Sequence, residues 1–454
     1  MYVYIEKSIQ MNIKPNVSLL LLMMAVSLGV YGQQQTGGKR QQLEALFTYL
    51  HEHDMFNGAV AVKDQGKLIF RAGFGVGNFE TGTPFLPQSQ TEIASVSKQF
   101  TATAIMLLRD EGKLRLDDDI NRYFTPALPY EGITIRQLLT HTSGVPDYEK
   151  YFRENWHTSD LVYNKDIIHF LHVEKPPLQF PPGSTYQYSN LGYVLLAEIV
   201  EACSGIPLDV FLHQRIFAPH AMSSTGFFVR NTIFRTPGYA PGVVWDSEAC
   251  QYVRPETQQR YAYVGYLSGR LGPGRLTSTV DDLLKWDSLL YTDGILPDSS
   301  LQEMFSPMVS VPNTPGHYGY GWRVLPPDGK GREVFHTGAW PGNYTLMKRY
   351  IDDKSTIILL NNTYSPYMVV IRNTVDAILK GRAYEWPKKH LHEVLKKTLC
   401  RTNVDADQWL HEQGDFTSYI IDYKAIDALN TEIQKHGDEA KKRLMDNLLK
   451  KLKK

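Results

Sequence analysis

The run Glu92-Ile93-Ala94-Ser95-Val96-Ser97-Lys98-Gln99-Phe100-Thr101 constrains this chain most, because it sets a serine and a lysine three residues apart at the head of an apolar helix. Residues at that spacing share one helix face, so Ser95 and Lys98 point into one place if the helix begins near Ser95. Phe100, Ala102, Ala104, Ile105, Leu107 and Leu108 are apolar enough to seat that helix inside a domain. A serine hydroxyl is a weak nucleophile at neutral pH and needs a neighbour to take its proton. A buried lysine can do so, because desolvation lowers its pKa.

Two further strings follow in order. Tyr188-Ser189-Asn190 comes after the turn-rich Phe180-Pro181-Pro182-Gly183-Ser184 and before the apolar run Leu191 to Val200. Its tyrosine offers a phenol that cationic neighbours depress toward a usable proton acceptor, and its asparagine offers an amide to a substrate peptide bond. His336-Thr337-Gly338-Ala339 lies between strand-like Glu333-Val334-Phe335 and the turn Pro341-Gly342-Asn343. As an edge strand it would take an extended substrate by β-addition, with Gly338 admitting close backbone approach and Ala339 giving an N–H to an oxyanion.

The three strings together resemble the serine β-lactamase-related family, which comprises class C β-lactamases, D-alanyl-D-alanine carboxypeptidases, D-aminopeptidases and related esterases. The similarity spans about residues 45 to 380. It includes Asn57 to Val62 with Gly73-Phe74-Gly75 and Thr81-Gly82-Thr83-Pro84, the string Ile135 to Gly144, and Leu276-Thr277-Ser278-Thr279 followed by Asp281-Asp282-Leu283. The resemblance implies an α/β (α+β) β-lactamase/transpeptidase-like fold, an antiparallel sheet flanked by helices with an inserted mainly helical subdomain and the site between the two parts.

It also implies acyl transfer through Ser95. Lys98 and Tyr188 share the proton, and which of them is the formal base stays open. Asn190, His336, Thr337 and Gly338 bind substrate, and the N–H groups of Ser95 and Ala339 form the oxyanion hole. One departure concerns substrate: His336 stands where the β-lactamases usually carry lysine. A histidine with an ordinary pKa of about 6.5 is mostly neutral near pH 7, so β-lactam carboxylates lose a fixed cation. The expectation is therefore an exported hydrolase of D-amino-acid peptides, amides or small esters. A true class C-like β-lactamase and a penicillin-binding protein without turnover are the alternatives. Keeping Ser95, Lys98 and Tyr188 together favours an enzyme.

Charge and cysteines narrow the field further. The 48 basic and 48 acidic residues give no global field for nucleic acid. The expected partner is a small-molecule or peptidoglycan-derived substrate; the oligomeric state is not legible. Lys14 followed by the uncharged run Val17 to Val30 and Tyr31-Gly32 has the order of a secretory signal. It predicts cleavage after Gly32, secretion across the inner membrane into the periplasm, and membrane contact only through an uncleaved signal. The three cysteines, Cys203, Cys250 and Cys400, lie far apart and are expected to build neither a metal site nor a disulfide framework. The 14 histidines include no H-E-x-x-H spacing, and no cofactor is expected. His141 reads as a structural hydrogen-bonding residue.

The signal-like run and the extent of the resemblance together imply a signal (1–32), a hydrolase domain (33–380) and a helical, charged extension (381–454). A helix at Gln41 to His51 precedes strands at Ala59 to Lys63 and Lys67 to Ala72. The middle is mainly helical. Strands return at Tyr318 to Val324, Val334 to Thr337, Leu346 to Ile351 and Thr356 to Leu360, before a helix at Met368 to Leu379. First and last parts are therefore expected to share one sheet. In the extension, Ile426, Leu429 and Ile433, then Leu444, Leu448, Leu449 and Leu452, predict a helical hairpin about Gly437.

Overall fold

The computed structural model describes residues 38–453 except 235, 292–293 and 401–404; the expected signal segment falls outside the described residues. Strand β1 (Gly58–Asp64) sends Ala59 and Ala61 into one apolar cluster and Val60 and Val62 into another. Successive strand residues face opposite ways, so both faces of this sheet are covered. The remaining strands are β2 (Lys67–Phe74), β3 (Val309–Ser310), β4 (His317–Tyr318), β5 (Arg323–Leu325), β6 (Glu333–Trp340), β7 (Asn343–Tyr350) and β8 (Ser355–Asn361). Their order is β3-β4-β5-β6-β7-β8-β1-β2 and every pairing is antiparallel. First and last parts do share one sheet.

One expected strand is corrected. Tyr318 to Val324 is two strands, because the chain doubles back through Gly319-Tyr320-Gly321 to set His317 opposite Val324. Gly321 turns at φ +77, a conformation that glycine adopts freely.

Five helices flank the sheet: α1 (Lys39–Glu52), α2 (Lys98–Asp110), α3 (Asn190–Ser204), α4 (Val280–Leu289) and α5 (Met368–Lys380). In α1 the buried residues Leu43, Leu46, Phe47 and Leu50 form one helical stripe, which meets Val60, Val62 and Leu359 beside Ile371 and Val375 of α5. Each such fully buried side chain contributes about 1.5–3 kcal/mol. On the other face α2, α3 and α4 join a larger cluster with Ala59, Ala61, Ile358 and Leu360. Phe100 of α2 and Trp286 of α4 stack there with ring centres 4.3 Å apart. The start of α3 is fixed by Ser189, whose hydroxyl accepts the Gly192 N–H at 3.1 Å.

The C-terminal segment adds α6 (Leu391–Thr398), α7 (Ala406–Glu412), α8 (Tyr423–His436) and α9 (Glu439–Leu452). It has its own core, to which Leu391, Leu395, Trp409, Ile426, Leu444 and Leu448 belong. The hairpin of α8 and α9 is as the apolar spacing predicts, with Asp422 and Asp438 capping the two helices. The segment docks through the Tyr49 hydroxyl, which donates to Pro387 O at 3.0 Å, and through Lys397, 3.1 Å from Asp54.

The cysteine expectation is overturned. Cys250 and Cys400, 150 residues apart, are disulfide-bonded with Cα atoms 5.4 Å apart. The fold brings the turn of the hairpin Val244–Asp246/Gln251–Val253 against the end of α6, a proximity that no sequence spacing reports. Cys203 is the free thiol.

Candidate active site

Ser95 sits in a single 3₁₀ turn, Ala94–Ser97, that leads directly into α2. The turn is tied down on both sides: Ile93 N–H donates to Leu276 O at 2.9 Å, and the Ser97 hydroxyl donates to Ala94 O at 2.6 Å. Ala94 lies at φ +46, a left-handed conformation costly for a residue with a Cβ. Behind it, Glu92 is buried with Arg230 at 3.3 Å and with Arg275.

Gly338 of β6 packs on this turn. A Cβ there would stand 2.3 Å from Ile93 O and 3.1 Å from Ala94 Cβ. The glycine thus admits the nucleophile turn, a close approach within the protein that the sequence reading did not name.

Lys98 is wholly buried. Its Nζ lies 3.2 Å from Ser95 Oγ, 2.9 Å from Asn190 Oδ1 and 2.6 Å from Pro273 O. Burial first, then the positive charges of Arg270 and Arg323, holds its pKa well below the ordinary lysine range, with Glu149 opposing. A neutral amine has two N–H donors and one lone pair. In that form two donors would satisfy Asn190 Oδ1 and Pro273 O and the lone pair would face the Ser95 hydroxyl, whereas the ammonium donates to all three oxygens. Asn190 is itself fixed, since its Nδ2 donates to Glu149 Oε1 at 3.1 Å and Glu149 pairs with Arg270 at 3.1 Å.

Tyr188 is hydrogen-bonded to Ser95, and Lys98 Nζ lies 4.7 Å from its ring centre. Its pKa does not fall as expected. Burial raises it, and this outweighs the Ser95 hydrogen bond and the charge of Arg323. His141, at φ +60, places its ring 4.3 Å from that of Tyr188 and accepts the Ser189 N–H on Nδ1 at 3.1 Å. It is a hydrogen-bonding support, as its sequence context suggests.

His336 is 1% exposed, and its ring centre lies 6.2 Å from that of Tyr188. The pleat turns it inward, where Nδ1 lies 2.7 Å from Thr337 O and Nε2 lies 2.9 Å from the Tyr318 hydroxyl. Burial, reinforced by Lys98 and Arg323, pushes its pKa well below the usual histidine value. Thr337 and Ala339 alternate to the exposed face. Strand β6 is an edge only in part: β5 covers Glu333, Val334 and Phe335, and among the described residues no strand pairs with His336 to Trp340 on that side. Ser95 and Ala339 line one small recess of about 30 Å³, with Asn190 and Arg270.

The sequence brought forward Ser95, Lys98, Tyr188 and Asn190, and the fold gathers them. It gave no sign of Pro273, Glu149, Arg270 or Arg323, which reach the site from distant parts of the chain. Arg323 is half-buried and has neither an acidic nor a hydrogen-bonding partner among the described residues.

A serine beside a desolvated lysine, at the edge of an antiparallel sheet covered by helices, defines a serine hydrolase of the β-lactamase fold. The sequence model of the beta-lactamase family matches residues 43–379, and the chain belongs to that family. It is 38% identical over 354 residues to penicillin-binding protein 4* of Bacillus subtilis strain 168, covering 77% of this chain and 78% of that one. Among solved structures it is similar to the octameric penicillin-binding protein homologue from Pyrococcus abyssi, with TM-score 0.65 and 27% identity over 79% of this chain and 81% of the other. It is likewise similar to the D-amino acid amidase of Ochrobactrum anthropi SV3 in complex with D-phenylalanine, with TM-score 0.61 and 25% identity over 74% of this chain and 98% of the other.

Proposed function

We propose that this serine hydrolase is exported and cleaves D-amino-acid peptides, amides or small esters through a Ser95 acyl-enzyme. The observation that carries the reading is the buried Lys98 amine, 3.2 Å from Ser95 Oγ and shifted toward its neutral form. As the bond from Ser95 Oγ to the substrate carbonyl carbon forms, Lys98 takes the hydroxyl proton. Tyr188, kept protonated by burial, gives its proton to the departing nitrogen or oxygen as that bond breaks, and regains one from the Lys98 ammonium. Water then attacks the acyl carbon, its proton passes to the same pair, and Ser95 is restored.

The N–H groups of Ser95 and Ala339 receive the oxyanion in this reading. One such donor is typically worth ~10² to 10³ in turnover. Asn190 orients the acyl side and Thr337 binds along the uncovered part of β6. Gly338 lets β6 meet the nucleophile turn, and His336 supports Tyr318 and the ring of Tyr188. The D-amino acid amidase similarity supports the substrate class, and the inward, neutral His336 speaks against an enzyme built for β-lactam carboxylates. Export is supported by the signal-like N-terminus and by the Cys250–Cys400 bond, since disulfides persist in oxidising compartments. No described helix is long and apolar enough to cross a membrane.

Turnover of a D-alanyl-D-alanine peptide, D-phenylalanine amide, a p-nitrophenyl ester and benzylpenicillin tests the reading. Turnover of the peptide, amide or ester with slow or trapped penicillin supports it. Rapid penicillin hydrolysis alone means a β-lactamase.

A further inference from the structure

The space in front of the candidate site does not end at Ser95. Asn190 and Ala339, which line the small recess beside the nucleophile, also line a cleft of about 720 Å³. That volume is of the size that takes a whole multi-group ligand, and far more than one small acyl group fills. The rings of Trp245, Tyr263, Trp340 and Tyr344 supply its flat apolar surfaces. Its far wall is not part of the hydrolase fold. Glu393 and Lys396 of α6 and Leu429 and Glu432 of α8 close it, and all four lie beyond the residues that match the family.

This wall is held in place. The Cys250–Cys400 bond joins the end of α6 to the hairpin that carries Trp245. Lys397 of α6 lies 5.9 Å and 5.5 Å from the ring centres of Trp245 and Tyr252 and pairs with Asp54. A wall joined by a covalent bond to the hairpin that carries Trp245 is preformed for an occupant.

The occupant follows from β6. Its uncovered edge passes Ala339 and Trp340 on the way into the cleft, and an extended peptide paired along it advances about 3.3 Å per residue. The acyl side is the side Asn190 faces in the proposed reaction. We infer that the C-terminal helices form the outer wall of an acyl-side subsite that selects peptidyl chains of about three residues over single residues. The inference rests on the Ser95 acyl-enzyme reading.

The test is kcat/KM for three p-nitrophenyl esters whose acyl groups are acetyl, N-acetyl-D-alanyl and an N-acetylated tripeptide ending in D-alanine. Wild type should prefer the tripeptide over acetyl at least tenfold. Glu432→Trp, at an exposed position where folding is not at risk, should lower that ratio at least fivefold. Asp427→Trp, exposed on a different face of α8, controls for an added indole and should leave the ratio within twofold. The double variant Cys250→Ser/Cys400→Ser, which frees the wall, should lower the ratio in the same direction. A wild-type ratio near one, or a ratio untouched by both the indole at 432 and loss of the disulfide, overturns the subsite. A matching gain with N-acetylglucosaminyl-bearing esters and none with peptides would make it a glycan site instead and overturn the peptide assignment. Retained turnover of the acetyl ester by Ser95→Ala contradicts the underlying reaction, separately from the subsite.

Discussion

His336 Nε2 and the Tyr318 hydroxyl lie 2.9 Å apart in the interior, so the histidine that opens the third string is a buried neutral group and not a cation offered to substrate. Its pKa is well below the ordinary value of about 6.5, so it stays uncharged from mildly acid pH upward. The pH profile of kcat/KM for a carboxylate-bearing substrate is therefore expected to show no step near pH 6.5 that His336→Asn removes. A step of that kind, lost in the variant, contradicts the placement.

In the proposed reaction Lys98 sets the acid limb of activity. A free-amine base gains activity as pH rises through its pKa, which burial, Arg270 and Arg323 hold well below the lysine range. Removing one positive neighbour raises that pKa. Arg323→Gln is expected to move the acid limb of kcat/KM to higher pH, and Glu149→Gln, which removes the opposing carboxylate, to lower pH. Shifts of the same sign in both variants would show that the limb belongs to another group.

Gly338→Ala tests the contact between β6 and the nucleophile turn. The added methyl would stand 2.1 Å from Thr345 Oγ1 and 2.3 Å from Ile93 O, so the threonine must give way and either the turn or the strand must move. Displacements of about 1 Å at reacting groups cost on the order of 10²-fold in rate. The expected result is a fall in kcat of about that size with the fold retained by circular dichroism. A variant with wild-type kcat means that the turn tolerates the methyl.

How much of this was legible in the sequence depended on distance along the chain. Ser95 and Lys98 could be paired because helix geometry brings residues three apart together, and Tyr188 could be placed because Ser189 and Asn190 open a helix beside it. The sheet was legible because β1, β6, β7 and β8 alternate or run apolar. Pro273 O, Glu149 and Arg270, by contrast, meet Lys98 and Asn190 only through tertiary folding, and nothing in their own neighbourhoods marks them. The direction of the Tyr188 shift was missed for a physical reason: burial of a phenol outweighed the cations that the sequence suggested would depress it. The Cys250–Cys400 bond was missed because proximity across 150 residues has no local signal.

That bond yields a stability prediction. Closing a loop of 150 residues restricts the unfolded chain, and disulfides of this kind contribute about 2–5 kcal/mol. Cys250→Ser/Cys400→Ser is expected to lower the urea midpoint, and wild type treated with a reductant should move to the same midpoint. Identical midpoints for oxidised wild type and the double variant would mean that the bond adds nothing.

The most direct test of the account is intact mass after exposure to a fluorophosphonate, followed by peptide mapping. The account predicts one adduct, on Ser95, absent from Ser95→Ala and much slower to form in Lys98→Ala. Labelling that persists in Ser95→Ala, or maps to another residue, would contradict the assignment of Ser95 as the nucleophile.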